Sequence, residues 1–319
     1  MPFLRLPLAA LAWIGRQGTT GLVVAIFLSI AVPPLAAYVK PHLAETVFVL
    51  LVFSYLRTEP EKLRQVVRAP GLSIVASLWA MIAAPVLAGG ALNLIGLPKL
   101  APDLYTIMIL HVAIAPIVSS AAFAALLGLD IAFTMVSVIL CNMLSPVTTV
   151  AVSTFFLGTS LISPLDLGIK LLVFLLVSGL VAMLIRRVAG QARIEANKET
   201  IDGLNVLAVF IFAIAAMDGV PRHVIADPLG AAMLLGIAIL LAAAMFGISA
   251  LVFMRAGFGI GTVVGMLAGF RNLGTIMAAI GTALPDQAWF YFALVQFPIY
   301  LFPALIKPFV RRRQSNQSS

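Results

Sequence analysis

Apolar residues in this chain fall into long runs, and short breaks with polar residues, glycine and proline separate them. A helix needs about 20 predominantly apolar residues to cross the hydrocarbon core of a bilayer. The fourth, fifth, eighth and ninth runs are long enough to tilt or to break. The pattern therefore predicts ten membrane-spanning helices, at residues 18–39, 42–56, 71–95, 102–127, 131–157, 165–187, 201–219, 226–254, 258–284 and 287–309.

Basic residues are distributed unequally between alternate breaks. One set of breaks, together with both chain ends, holds fifteen of the twenty Lys and Arg residues. The alternate set holds four, Lys40, Lys99, Lys170 and Arg222. Because short cytoplasmic loops carry the excess of positive charge, we expect both termini on the cytoplasmic side of an inner membrane.

Composition supports a membrane environment and excludes several classes of protein. Hydrophobic residues make up 62% of the 319 residues and charged residues 10%, whereas soluble domains are about half apolar and about a quarter charged. The net charge of +8 does not indicate nucleic acid binding, because the basic residues form no patch with interleaved aromatic residues. A single cysteine, Cys141, leaves no disulfide framework and no cysteine-based metal site.

The longest cytoplasmic break, RVAGQARIEANKET, divides the predicted spans into two sets of five. Since five is odd, the second set runs opposite to the first, and an inverted repeat is geometrically natural. The predicted organisation is an amphipathic interfacial segment at 1–17, a first five-span repeat at 18–187, a linker at 188–200, the rest of a second repeat at 201–309 that begins near 165, and a cytoplasmic tail at 310–319.

Two of the predicted spans are interrupted. The fourth contains Pro116, which removes a backbone donor, followed by Ser119 and Ser120. The interpretation as a simple proline kink stays open. Lipid offers no hydrogen bonds, so broken backbone persists only against protein or a water-filled cavity.

The ninth predicted span contains Gly269, Arg271 and Asn272 near its middle. An arginine at membrane depth costs several kcal/mol and usually faces a partner or a cavity. Both breaks occupy the fourth place in their set of five, and such corresponding breaks are the best sequence indication of a transport site. The alternative is an arginine that only holds the helix bundle together.

Further polar residues lie within the apolar runs. In the fifth span Thr134 shares a face with Ser137 and Cys141, and Asn142 is the residue we expect to face a cavity. His111, in the fourth span, is a candidate for carrying a proton, although a lone buried histidine is more often simply hydrogen-bonded.

Two acidic residues have predicted structural partners. Asp130 follows Gly128 at the start of the fifth span and is expected to cap that helix. Asp218 is expected to pair with Arg222 or Arg271.

These residues resemble the bile acid/sodium symporter superfamily over the whole ten-span layout. The stretch APIVSSAAFAALLGLDIAFTMVSVILCNMLSP is similar to the family's fourth and fifth spans. The stretch GMLAGFRNLGTIMAAIG is similar to its ninth span, which carries a glutamate-x-glycine-x-glutamine-asparagine break. The resemblance implies a panel domain of spans 1, 2, 6 and 7 and a core domain of the others. It also implies that the fourth and ninth spans cross at their breaks.

The chain departs from the family at the positions that bind sodium. Leu267 stands where the family has glutamate, Arg271 where it has glutamine, and Ala121 and Ala122 where it has a serine-asparagine pair. Leucine and alanine supply no oxygen ligand, and a guanidinium repels sodium. We therefore expect the charge of Arg271 to replace one sodium ion, either by holding the crossing together or by binding a substrate carboxylate.

The sequence predicts a secondary transporter that moves a small organic anion by alternating access. Sodium or a proton could be the coupling ion, and no cofactor is expected. An arsenite-type or auxin-type efflux carrier of the same architecture is an alternative, as is a receptor built on a carrier fold. An enzyme is not expected, because the chain has no HExxH or Ser/His/Asp arrangement.

Overall fold

A computed structural model describes residues 33–57, 71–158, 163–281, 284 and 286–315. Its helices are α1 (Pro33–Val39), α2 (Leu43–Arg57), α3 (Gly71–Leu78), α4 (Ala84–Leu94), α5 (Leu97–Leu100), α6 (Pro102–Ala113), α7 (Ser120–Leu127), α8 (Ile131–Leu157), α9 (Pro164–Ala189), α10 (Gln191–Ala196), α11 (Lys198–Ala216), α12 (Val220–Ala226), α13 (Pro228–Phe253), α14 (Phe258–Gly269), α15 (Leu273–Ile280) and α16 (Asp286–Ser315). A π-helical turn, Trp79–Ala83, joins α3 to α4.

Within the described residues, seven helical stretches are long and apolar enough to cross a membrane. The predicted fifth span, 131–157, coincides with α8, and the predicted fourth and ninth spans are each divided into two shorter helices. The structure is therefore that of a multi-pass α-helical membrane protein, and the count of ten spans stays a prediction. The interfacial segment 1–17 and most of the first span lie outside the described residues.

Exposed apolar side chains mark the surface that faces lipid. α9 carries a row of exposed apolar side chains, whose contact with water is unfavourable and whose contact with lipid hydrocarbon is not. Its exposed residues include Leu165, Ile169, Leu172, Val173, Leu176, Leu180, Met183 and Leu184.

The chain divides into two compact units. The first comprises residues 1–59 and 173–231, and the second comprises 60–172 and 232–319. α2 and α11 fall in the first unit, the two broken spans fall in the second, and α9 is divided between the two units. The grouping into panel and core domains stays a prediction.

The first unit is held by α2, α11 and the end of α9. Val52, Leu56, Ala182 and Ile194 form its buried apolar cluster. The predicted pairing of Asp218 with Arg222 or Arg271 is wrong. Asp218 accepts from Lys40 Nζ at 3.2 Å. The reason is that α11 packs against α1 and the Lys40–His42 turn that follows it.

In the second unit, α8 packs against α3, α6 and α7. Asp130 caps α8 as predicted, because its carboxylate accepts from the backbone N–H of Phe133 at 2.9 Å. The shared face of Thr134, Ser137 and Cys141 is fully buried. Ser77 of α3 donates to the carbonyl of Ser137.

Three glycines at four-residue spacing set the distance between α13 and α14. A Cβ atom on Gly261, Gly265 or Gly269 would lie 2.7–2.8 Å from a backbone oxygen of α13. Helices in membranes approach this closely only where such small residues face the neighbour. The end of α14 is thereby fixed against α13.

Candidate functional site

The fourth span is broken between α6 and α7. Helix α6 ends at Ala113, and Ile114 is extended, with φ −72° and ψ 158°. Pro116 lies in the break, where its missing N–H and its ring prevent the helix from continuing. α7 then begins at Ser120.

The ninth span is broken between α14 and α15. Helix α14 ends at Gly269, Phe270 is extended with φ −111° and ψ 91°, and α15 begins at Leu273. This break is shorter than the first, and Arg271 lies at its centre.

The two breaks lie against each other as a short antiparallel pair. Pro116 and Arg271 face each other in an antiparallel bridge. The N–H of Ile117 donates to the carbonyl of Phe270 at 2.9 Å, and the N–H of Asn272 donates to the carbonyl of Ala115 at 2.8 Å. Each break therefore satisfies the backbone of the other. The predicted fourth and ninth spans cross here, as the family resemblance implies.

The guanidinium of Arg271 lies inside this crossing, with a side chain that is 1% exposed. Its Nε donates to the carbonyl of Ala268 at 2.8 Å. Nη1 donates to the carbonyl of Ile114 at 2.9 Å, and Nη2 donates to the carbonyl of Ala80 at 2.5 Å. Nη1 also lies 3.7 Å from Met81 Sδ. One side chain thus joins three separate stretches of backbone.

Each of these carbonyls can accept from Arg271, because the backbone N–H that would bond to it within a helix is either absent or donates elsewhere. The N–H four residues after Ala268 belongs to Asn272, which donates to Ala115. Ile114 lies beyond the last turn of α6. In the π-helical turn Ala84 donates to Trp79, and the next potential donor for Ala80 is Pro85, which has no N–H.

Carbonyl dipoles compensate the charge of Arg271. Among the described residues, no carboxylate forms a salt bridge with it. The C-terminal ends of α6 and α14 carry partial negative charge, and both meet the guanidinium through Ile114 and Ala268. Hydrogen bonds to a charged group are worth about 1.5–3 kcal/mol each, so this arrangement can hold a cation without an anion beside it.

Four other predicted site residues divide into two groups. The buried Ser120, Thr134 and Asn142 donate to carbonyls three or four residues earlier, those of Ile117, Asp130 and Val138. Ser119 is half-buried at the N-cap of α7, and the structure shows no capping bond from its side chain.

Asn272 takes the same position at the start of α15. It is also half-buried, and its side chain makes no capping bond. Ser119 and Asn272 are thus the polar side chains of the crossing that are partly exposed, each beside the N-terminus of an eight-residue helix.

His111 lies in the last turn of α6, two residues before its end and four residues before Ala115 of the crossing. Its side chain is 2% exposed, and its Nδ1 lies 3.0 Å from the hydroxyl of Tyr291. The sequence reasoning did not identify Tyr291 as a partner, because α6 and α16 are far apart in the chain. It also did not identify Ala80. The sequence signal for that acceptor was Pro85, which has no N–H to donate to the carbonyl of Ala80.

Leu267 is fully buried in an apolar cluster with Phe270 and Met266. Its side chain has no oxygen atom, although the symporter family that this sequence resembles has a glutamate at the corresponding position.

No protein-family model matches this chain, and no curated protein matches it.

Proposed function

We propose that this protein is a secondary transporter that moves a small organic anion across the inner membrane by alternating access. In this proposal Arg271 occupies the place of a coupling cation. The observation that carries it is the set of three backbone carbonyls, from α6, α14 and the turn before α4, that converge on one buried guanidinium.

The converging carbonyls favour a positive charge at this point. Unwound carbonyls and C-terminal ends of half-helices are the groups that coordinate coupling ions in transporters with broken helices. Here the guanidinium already uses these groups, and two unit charges of the same sign repel each other strongly where water is excluded. Net transport would therefore not require sodium at this site.

The contacts of Arg271 favour a role in holding the crossing together over a role in binding substrate. Its fork of donors is directed at backbone acceptors, and its side chain is almost completely enclosed. Solute binding is better assigned to Ser119 and Asn272. They are partly exposed, and the N-termini of α7 and α15 beside them favour anionic groups.

The experiment is uptake of labelled organic anions into proteoliposomes, with sodium and proton gradients imposed separately. We expect the unmodified protein to accumulate at least one anion at a rate that sodium does not change. In Arg271→Gln we expect uptake to be lost or to acquire a response to sodium. Arg186→Gln is the matched control, because Arg186 also donates to backbone carbonyls but lies at a helix end of the first unit.

Two results would contradict this function. Accumulation no greater than in empty vesicles for every anion would reject the assignment as an anion carrier. Sodium-stimulated uptake by the unmodified protein, or unchanged and sodium-indifferent uptake by Arg271→Gln, would reject the role of the arginine.

A further inference from the structure

Two buried polar atoms in the second unit have no hydrogen-bond partner within the described part of the chain. They are Nε2 of His111, on α6, and Oγ1 of Thr275, on α15. Both side chains are 2% exposed. A buried polar group without a partner costs about 1–3 kcal/mol, so two of them in one place call for an explanation.

The antiparallel crossing places His111 and Thr275 on the same side of the backbone bond between Asn272 and Ala115. Ala115 accepts from Asn272 at 2.8 Å. His111 precedes Ala115 by four residues, and Thr275 follows Asn272 by three. Because the paired segments are antiparallel, both residues lie on the same side of this link, about one helical turn away from it. α6 and α15 also pack against each other.

Tyr291 decides which ring nitrogen of His111 carries the hydrogen. Its fully buried hydroxyl lies 3.0 Å from Nδ1 of His111. A phenol that donates to Nδ1 leaves the hydrogen of a neutral imidazole on Nε2, which then becomes a donor. The hydroxyl of Thr275 is a second donor. α16, which carries Tyr291, contacts both α6 and α15.

From this arrangement we infer that His111 and Thr275 together bind one hydrogen-bond-accepting oxygen atom, enclosed between α6, α15 and α16. The site suits an acceptor better than a cation, because both groups are hydrogen-bond donors here and no described carboxylate pairs with either residue. The oxygen belongs either to a water molecule or to the transported solute. The second source rests on the proposed function, and the first does not.

The direct test is nuclear magnetic resonance of ¹⁵N-labelled histidine in the full-length protein in lipid nanodiscs. His42→Gln and His223→Gln remove the other two of three histidines, both of which are exposed. We expect the Nε2 proton of His111 to show the downfield shift of a hydrogen-bonded donor. We also expect this shift to diminish in Thr275→Val. A shift typical of a free N–H, both in the protein alone and with lactate or propionate added, would overturn the inference.

Lactate and propionate, added separately, distinguish the source of the oxygen. A signal that neither changes assigns the oxygen to water, whereas a change with lactate alone assigns it to a solute hydroxyl. A change with both assigns it to a carboxylate. Each of these results supports the site, and failure of transport would leave the resonance of the bound water intact.

Thermal unfolding provides a second, independent readout. If the site is occupied, Thr275→Val removes a bond and lowers the Tm by more than Thr262→Val does, whose hydroxyl only donates to its own helix. If Thr275 is in fact unpaired, valine of the same shape removes a buried polar group and the Tm stays equal or rises. That result would contradict the inference.

Discussion

Two arginines of this protein do similar chemistry in different surroundings. In the first unit Arg186 donates from Nη2 to the carbonyls of Tyr55 and Leu56, at 3.2 and 2.9 Å, and is only half-buried. In the second unit Arg271 donates to carbonyls of three separate segments and is 1% exposed. The first caps one helix end, and the second joins three stretches of backbone.

From this difference we expect burial and the number of joined segments, more than the charge, to decide how much each arginine stabilises the fold. Water can replace Arg186 at the end of α2, since carbonyls at a helix end are readily hydrated. Water has little access to the carbonyls that Arg271 binds, because its side chain is 1% exposed. Its removal would leave carbonyls of Ala80, Ile114 and Ala268 without a partner inside the bundle.

The largest effect is expected from Arg271→Ala, which removes the buried one of the two arginines. Each of the three carbonyls that lose their donor costs about 1–3 kcal/mol if it stays buried without a partner. We expect a strong fall in the Tm of the purified protein in detergent, with uptake abolished. Arg271→Lys should recover only part of the loss, because one ammonium cannot reproduce the planar fork. A Tm within experimental error of the unmodified protein would show that the crossing does not depend on this side chain.

A smaller effect is expected from Gly269→Ala, which shifts the end of α14 while leaving the arginine in place. The added Cβ would lie 2.8 Å from the carbonyl oxygen of Ala242 and 3.1 Å from Phe246 Cβ. Overpacking of this kind typically costs about 1–3 kcal/mol. Denaturant unfolding should show the loss. Gly236→Ala, on α13 with nothing within 4 Å of its Cβ, should be neutral or stabilising, and equal losses in both variants would refute the role of close packing.

The smallest effect is expected from Arg186→Gln, the exposed half of the comparison. Because the side chain is half-buried and water can hydrate the freed carbonyls, we expect a loss of less than about 1 kcal/mol. The same denaturant unfolding measurement checks this value. A loss as large as that of Arg271→Ala would mean that burial does not explain the contrast between the two arginines.

The sequence predicted the elements better than it predicted their contacts. The predicted span 131–157 coincides with α8, because Asp130 caps its N-terminus and Gly158, with a φ of 71°, ends it. The breaks around Pro116 and Arg271 were visible because proline and arginine are conspicuous in apolar runs. Their pairing was reached only through a family resemblance.

The partners of the site could not be predicted from residue types. Arg271 bonds to backbone oxygens, which every residue has, so no sequence pattern distinguishes Ala80 from its neighbours. The assignment of Asp218 failed for a related reason. Residue proximity along the chain favoured Arg222, whereas the fold brings Lys40 beside it.

The crossing is fastened by two bonds between peptide groups, from Ile117 to Phe270 and from Asn272 to Ala115. These bonds use no side-chain atoms, so only proline at the donor position removes the N–H itself. The side chains around the crossing, Leu267 among them, can therefore vary while these two bonds stay the same. A scan of alanine variants would pass over this fastening, and replacement of the donor amide by an ester at Asn272 would reveal it.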